Sequence, residues 1–339
     1  MTALAENRYI SLEGSPYQVG YQLGEHMQKS LANNISQYLN AGPLQAGEIT
    51  AEQLSAGALE WAHSLPQRFL LEMEGLADGS GVPLKRIAEW GYADSGGKTG
   101  CSAFLLRTRD ALWVGRNNDL WVPDLWGYTI HRQVNGRLGT VTFGMRGELY
   151  AATGVNSSGL WLHYNWLPAL DQPEAHAWTP FVLLTDILET CDSIDAVEAR
   201  LRSETRQGGM LIFSASPNGK AAILECSCRR VARCDLDSGF LVGTNHYQFI
   251  PEMKDAMTAN QSSLHRAEAM TTKLDALPEN PQLKDLIAVL ADPNVEQHRE
   301  DYGTVYANLY NPMSHDLWFT FGGYPAASHG NWQPVPGPF

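Results

Sequence analysis

The sequence predicts an α+β fold in which a helical first hundred residues precede a strand-rich remainder. Three observations carry that expectation. Apolar residues recur at Val19, Leu23, Met27, Leu31, Ile35 and Leu39, the i, i+4 spacing of one helix face. Downstream of Gly100, short apolar runs alternate with turn residues until near the C-terminus. At the border between the two styles stands Cys101, in Gly100-Cys101-Ser102-Ala103-Phe104, followed by Gly115-Arg116-Asn117-Asn118-Asp119.

In chain order, Ser15 reads as a helix N-cap, Pro16 as the first helical residue and Gln18 as its capping-box partner. Gly20 and Gly24 interrupt the apolar stripe, which lowers helix propensity but permits close packing against a neighbour. Further helices are expected over 54–62 and 67–76, the second stopped by Asp78-Gly79-Ser80-Gly81-Val82-Pro83. Ser95-Gly96-Gly97 and Lys98-Thr99-Gly100 then read as a flexible, exposed linker. Strands are expected over 111–114, 139–143, 148–152, 159–164, 210–214, 221–226, 240–243, 305–310 and 317–321, with helices over 178–203, 262–276 and 282–292. Asn156-Ser157-Ser158-Gly159 and Pro217-Asn218-Gly219-Lys220 are turns. No internal repeat or low-complexity tract is apparent.

The border carries the chemistry. Residues 103–106 and 111–114 form a hairpin about a polar turn, which returns Arg116 and Asp119 to the neighbourhood of Cys101. Cleavage between Gly100 and Cys101 would give one residue both a thiol and a free α-amine. The thiolate is a nucleophile, and an α-amine with a reference pKa of about 8 serves as a base near neutrality. In that arrangement Arg116 favours the thiolate and the neutral amine, and Asp119 fixes the amine.

The pattern formed by Cys101, Gly115, Arg116, Asn117 and Asp119 resembles the choloylglycine hydrolase and penicillin acyltransferase group of cysteine N-terminal nucleophile hydrolases. The hundred residues before the cysteine look like the acyltransferase branch, whose precursor cuts itself at a Gly-Cys bond. Gly14-Ser15-Pro16 and Glu72-Met73-Glu74-Gly75-Leu76-Ala77-Asp78-Gly79 look like that branch's pro-segment. Thr99 departs from its pattern, which has an acidic residue before the glycine. The resemblance implies a four-layer αββα sandwich, with residues 1–100 as a helical α chain and 101–339 as a β chain packed with it in one unit. It also implies an N-to-S acyl shift at Gly100-Cys101, followed by hydrolysis of the thioester, so that self-cleavage would leave an αβ heterodimer.

Two asparagine-bearing stretches extend the likeness. Gly154-Val155-Asn156-Ser157-Ser158-Gly159-Leu160 with Asn165, and Thr244-Asn245-His246, resemble the family's later motifs. They imply Asn245, with Asn165 as a second candidate, as a neutral N–H donor to an oxyanion, worth roughly 3 kcal/mol. Arg266 is a weaker match, read as a solvated helix arginine. His246 is an alternative base in an uncleaved Cys/His amidase. Trp121 is a candidate wall of the acyl or amine pocket. A non-catalytic αββα binding protein is the third reading, against which the joint presence of Cys101, Arg116, Asp119 and Asn245 stands.

Composition bounds the rest. A net charge of −13 argues against a nucleic-acid partner, and no apolar run reaches membrane-spanning length. The N-terminus has neither the basic start nor the apolar stretch of a signal peptide. Five cysteines suggest a reducing compartment, so a cytoplasmic protein is expected. Cys226-Ser227-Cys228 lacks a second ligand pair at zinc spacing, and alternation on a strand accounts for it. No metal or cofactor is expected. The expected function is a self-processing amidohydrolase acting on a small N-acyl or aminoacyl amide through a thioester, with acyl transfer to an amine as the alternative.

Overall fold

The computed structural model describes residues 6–96, 100–173, 177–256 and 260–339. The N-terminal part is not wholly helical: it opens with strand β1 (Tyr9–Gly14) and continues as α1 (Pro16–Met27), α2 (Leu31–Ala41), α3 (Ala51–Ser64), α4 (Gln67–Ser80) and α5 (Leu84–Gly96). Ser15 accepts the Gln18 N–H and Gln18 returns a bond to the Ser15 backbone, so the capping box starts α1 as expected. The single apolar stripe is divided between two helices. The Ser30 N–H closes a turn on the Met27 carbonyl and breaks the register.

The glycines of the stripe have a packing role. A Cβ on Gly20 would lie 2.0 Å from the Glu72 carbonyl oxygen, and one on Gly75 would lie 2.1 Å from that of Tyr17. Helices α1 and α4 therefore touch backbone to backbone, and any side chain there would force them apart.

Downstream, β2 (Gly100–Arg107) and β3 (Leu112–Trp121) form the expected hairpin. They are followed by β4 (Trp126–Val134), β5 (Thr140–Met145), β6 (Thr153–Asn156) and β7 (Trp161–Leu167). The expected helix over 178–203 is two, α6 (Pro180–Thr190) and α7 (Ile194–Ser203), with Ser193 capping the second. Then come β8 (Gly209–Ala215), β9 (Ala221–Cys226), β10 (Val231–Asp235) and β11 (Phe240–Gly243). The chain ends with α8 (Pro251–Ala256), α9 (Gln261–Asp275), α10 (Leu283–Leu290), β12 (Tyr302–Asn311), β13 (Asp316–Phe321), α11 (Ala326–His329) and β14 (Asn331–Pro334).

The strands form two sheets. One has the order β1-β4-β5-β6-β7-β8-β9-β10, the other β11-β2-β3-β12-β13-β14. Helices α1, α6 and α7 pack on the first; α9, α10 and α11 pack on the second; β2 meets β7 and β4 meets β12 and β13 between them. This is the αββα sandwich, with one large apolar cluster shared by both sheets and the N-terminal helices and a smaller one between the second sheet and α9, α10 and α11. Among the described residues no helix is long and apolar enough to cross a membrane.

Three expectations are corrected. Residues 148–152 form no strand: Gly147 at φ 93° makes a turn that the Glu148 carboxylate closes on the Met145 N–H. Ser95 and Gly96 belong to the end of α5, and Gly97, Lys98 and Thr99 lie outside the described residues. Gly100 is buried, not exposed: a Cβ there would lie 2.5 Å from the Tyr302 hydroxyl and 2.6 Å from Gln297 Nε2.

A buried ionic network joins the first hundred residues to the rest. Arg132 on β4 donates to Glu72 on α4 at 2.8 Å and to Glu189 on α6 at 3.1 Å. Arg68 on α4 donates to Glu189 at 2.6 Å and to Asp186 at 2.9 Å. Burial pushes the Glu72 carboxyl up despite the Arg132 charge. Breaking one partner of such a network leaves an uncompensated buried charge. Glu72→Ala is expected to cost about 3–5 kcal/mol of unfolding free energy in denaturant titration. A cost below about 1 kcal/mol, the range of exposed pairs, would show the network to be incidental.

Candidate active site

Strand register builds the site. In the β2–β3 ladder Cys101 lies opposite Asn118, Gly100 opposite Asp119 and Ala103 opposite Arg116. Side chains alternate along a strand, so Arg116 and Asn118 share one face. On that face the Cys101 thiol donates to Asn118 Oδ1 at 3.4 Å and accepts from Arg116 Nη2 at 3.3 Å. Cys101 and Arg116, named from the sequence, are thus in direct contact. Asn117, from the same motif, points away, donating to the Leu290 carbonyl on α10 at 2.8 Å.

Arg116 is an unusual buried cation. Its Nη1 donates to the Ala152 carbonyl at 3.0 Å, and its Nη2 to the Tyr164 carbonyl at 2.9 Å and to Asn118 Oδ1 at 2.7 Å. Among the described residues no carboxylate pairs with it. Burial works against the charged form, but the Tyr306 hydroxyl and the Cys101 sulfur outweigh it and hold the guanidinium above its ordinary value. A buried charge demands a partner, and two ionisable groups stand beside this one: the Tyr306 hydroxyl at 3.5 Å, whose ionisation burial opposes, and the Cys101 thiol at 3.3 Å.

The backbone of Cys101 is held from the other side. Its N–H donates to Asn245 Oδ1 at 2.9 Å, while Arg266 Nη1 donates to its carbonyl at 2.5 Å. Arg266 Nη2 reaches Asn245 Oδ1 at 2.9 Å, and Nη1 also reaches Ser102 Oγ at 2.7 Å. Arg266 is 4% exposed, so it is no solvated helix arginine. Position i, i+4 from Ser262 turns it from α9 toward the second sheet, where the start of β2 offers it acceptors.

Asp119 makes no hydrogen bond to the Cys101 nitrogen, whose N–H goes to Asn245. Its carboxylate accepts from Thr304 Oγ1 at 2.7 Å and Gln297 Nε2 at 2.6 Å, with Arg266 Nη1 at 3.8 Å. It stands beside Gly100, whose N–H donates to the Tyr302 hydroxyl at 2.6 Å. Asn165 Nδ2 donates to the Gly243 carbonyl at 3.0 Å, and its buried Oδ1 has no partner among the described residues. Asn245 Nδ2 donates to the Trp166 carbonyl at 3.0 Å. Trp121 packs edge-on against Tyr302 with ring centroids 5.5 Å apart, one side chain removed from Gly100.

His246 is not brought to the thiol. Its Nδ1 bonds the hydroxyls of Ser263 at 2.8 Å and Thr244 at 3.1 Å, and burial pulls its pKa down. Cys226 and Cys228 are likewise set apart: burial pushes their thiols up to about 11 and about 12. No cluster of metal-ligating side chains occurs among the described residues. Sequence reasoning missed Asn118, Tyr302, Gln297 and Thr304. Asn118 was legible in principle, since the hairpin register that returns Arg116 must also return the residue two further on.

Comparison with known proteins adds a family. The family model described as acyl-coenzyme A:6-aminopenicillanic acid acyl-transferase matches residues 106–325, which include Arg116, Asp119, Asn165, Asn245 and Arg266 and begin after Cys101. No curated protein matches the sequence. Among solved structures, a variant of the conjugated bile acid hydrolase of Clostridium perfringens is 13% identical, with a TM-score of 0.47 over 70% of this chain and 96% of that one. A Caenorhabditis elegans ortholog of N-acylethanolamine-hydrolyzing acid amidase is 15% identical, with a TM-score of 0.46 over 70% of this chain and 100% of its own. Penicillin V acylase from Agrobacterium tumefaciens is 13% identical, with a TM-score of 0.47 over 68% of this chain and 84% of its own.

Behind the site, His163 is fully buried and accepts the Trp161 indole N–H at 2.8 Å. Burial, with the Arg116 charge, holds its pKa well below the usual value. The unfolded chain therefore binds a proton that the fold refuses. The stability this contributes is present above an unfolded histidine value of about 6.5 and is lost as pH falls below it. Denaturation midpoints should drop between pH 7.5 and pH 5 in the wild type, and drop less in His163→Gln. Equal drops in both would exclude His163 as the titrating group.

Proposed function

The chain belongs to the acyl-coenzyme A:6-aminopenicillanic acid acyl-transferase family, and from that premise we propose that it is a self-processing cysteine amidohydrolase. Its substrate on this reading is a small N-acyl or aminoacyl amide. The observation that carries the proposal is the buried Arg116 guanidinium, with no carboxylate partner among the described residues, donating to the Cys101 sulfur at 3.3 Å. That placement suits a sulfur that becomes negative during reaction.

Self-processing comes first. Cys101 Sγ attacks the Gly100 carbonyl carbon, the C–N bond breaks, and the Cys101 nitrogen leaves with a proton. Water hydrolyses the resulting thioester to the Gly100 carboxylate, regenerating the thiol. The Cys101 nitrogen is already fixed by Asn245 Oδ1, so the freed amine is oriented where it forms. Asp119, anchored by Thr304 and Gln297 beside Gly100, supplies a negative charge near that amine.

Turnover repeats the chemistry on an external amide. The thiol proton passes to the α-amine, sulfur forms a bond to the substrate carbonyl carbon, and the amine returns the proton to the departing nitrogen. Asn245 uses one N–H on Trp166, and its second serves the oxyanion. Water then releases the acid. A second amine in place of water would give acyl transfer, the alternative that the family description favours.

The test is capture of the acyl-enzyme. Acid quenching of the protein with a chromogenic N-acyl p-nitroanilide is expected to show the acyl mass on Cys101, and Cys101→Ala should lose both adduct and turnover. Amide turnover surviving in Cys101→Ala would refute the reading.

A further inference from the structure

The Gly-Arg-Asn-x-Asp pattern leaves one position unspecified, and in this chain it is Asn118. We propose that Asn118 is a catalytic residue of the same site, orienting the Cys101 thiol through Oδ1 and donating from Nδ2 to the carbonyl oxygen under attack. The inference rests on the reading of Cys101 as nucleophile.

Three observations carry it. First, Asn118 lies opposite Cys101 in the ladder, and its Oδ1 is 3.4 Å from Sγ. Second, the orientation of the carboxamide is fixed by chemistry. Arg116 Nη2 donates to Oδ1 at 2.7 Å, and a guanidinium cannot accept, so the reversed amide would set donor against donor. Third, the Nδ2 thus turned away has no partner among the described residues, although Asn118 is only 1% exposed. Buried amide donors are ordinarily satisfied, and leaving one unpaired costs stability.

The other asparagines of the site do not offer the same group beside sulfur. Asn165 presents an unpaired oxygen, which repels an oxyanion, and Asn245 Nδ2 is partly committed to Trp166. An acyl carbon bonded to Sγ holds its oxygen within reach of a group that touches the sulfur. In the step itself the S–C bond forms as the carbonyl π pair moves to oxygen. Asn118 Nδ2 donates a hydrogen bond to that oxygen, and the thiol proton goes to the amine. Asn118 gains and loses no proton.

The experiment compares wild type, Asn118→Ala and the isosteric Asn118→Asp, using a chromogenic N-acyl p-nitroanilide over a pH series. Intact mass is read alongside to follow cleavage. Asn118→Ala is expected to lower kcat by about 10²–10³ with KM changed only a few-fold. Asn118→Asp places a negative charge beside sulfur, so the acid limb of its pH–rate profile should move to higher pH by about one unit or more. If Asn118→Ala misfolds, the size- and shape-matched Asn118→Asp still decides. A folded variant with wild-type kcat and an unmoved acid limb overturns the role of Asn118 alone. Turnover that persists in Cys101→Ala overturns the nucleophile reading, and this inference falls with it.

Discussion

The two strands β2 and β3 are joined by a short turn in which Thr108 Oγ1 accepts the Ala111 N–H, and that turn fixes their register. A slip by one residue would send Arg116 and Asn118 to the opposite face. The contacts of the candidate nucleophile's side chain depend on this register. It sets Asn118 across from Cys101, places Arg116 diagonally within reach of the sulfur, and leaves Asn117 to anchor α10. The hairpin is itself buried between neighbours, β11 on one edge and β12 on the other, so it has little freedom to shift.

Electrostatics then gives the register a chemical meaning. Arg132 and Arg116 are both buried arginines, yet they are satisfied differently. Arg132 is neutralised by Glu72 and Glu189, which is a structural arrangement. Arg116 meets carbonyl oxygens, the amide of Asn118 and a thiol, which leaves its charge available to whatever becomes negative beside it. Arg266 plays a third part, tying the carbonyl of Cys101, the hydroxyl of Ser102 and the amide of Asn245 together from the helical layer.

Much of this was legible in the sequence because it is local. The capping box of Ser15 and Gln18, the hairpin after Cys101, and strands β9 and β11 follow from short-range pattern. What failed depends on tertiary context. Strand β4 contains Gly127 at φ 85° and a register shift between Trp126 and Tyr128, an irregularity in its pairing with β5. β1 precedes the first expected helix, in a stretch where the pattern predicts no strand, because its parallel pairing with β4 is a long-range contact. Burial of Gly100 and Arg266 also escaped notice, since the groups that cover them, Tyr302 and Gln297 for one and the start of β2 for the other, are distant in sequence. Asn245 was found through its motif, but the use of its oxygen on the Cys101 N–H is a matter of geometry alone.

The proposed chemistry requires that Cys101 become an N-terminal residue. Intact mass of freshly purified protein under denaturing conditions tests it most directly. Two chains are expected, residues 1–100 and 101–339, that separate only on denaturation. A single uncut chain that nonetheless turns over an amide would contradict it and move the base to a side chain.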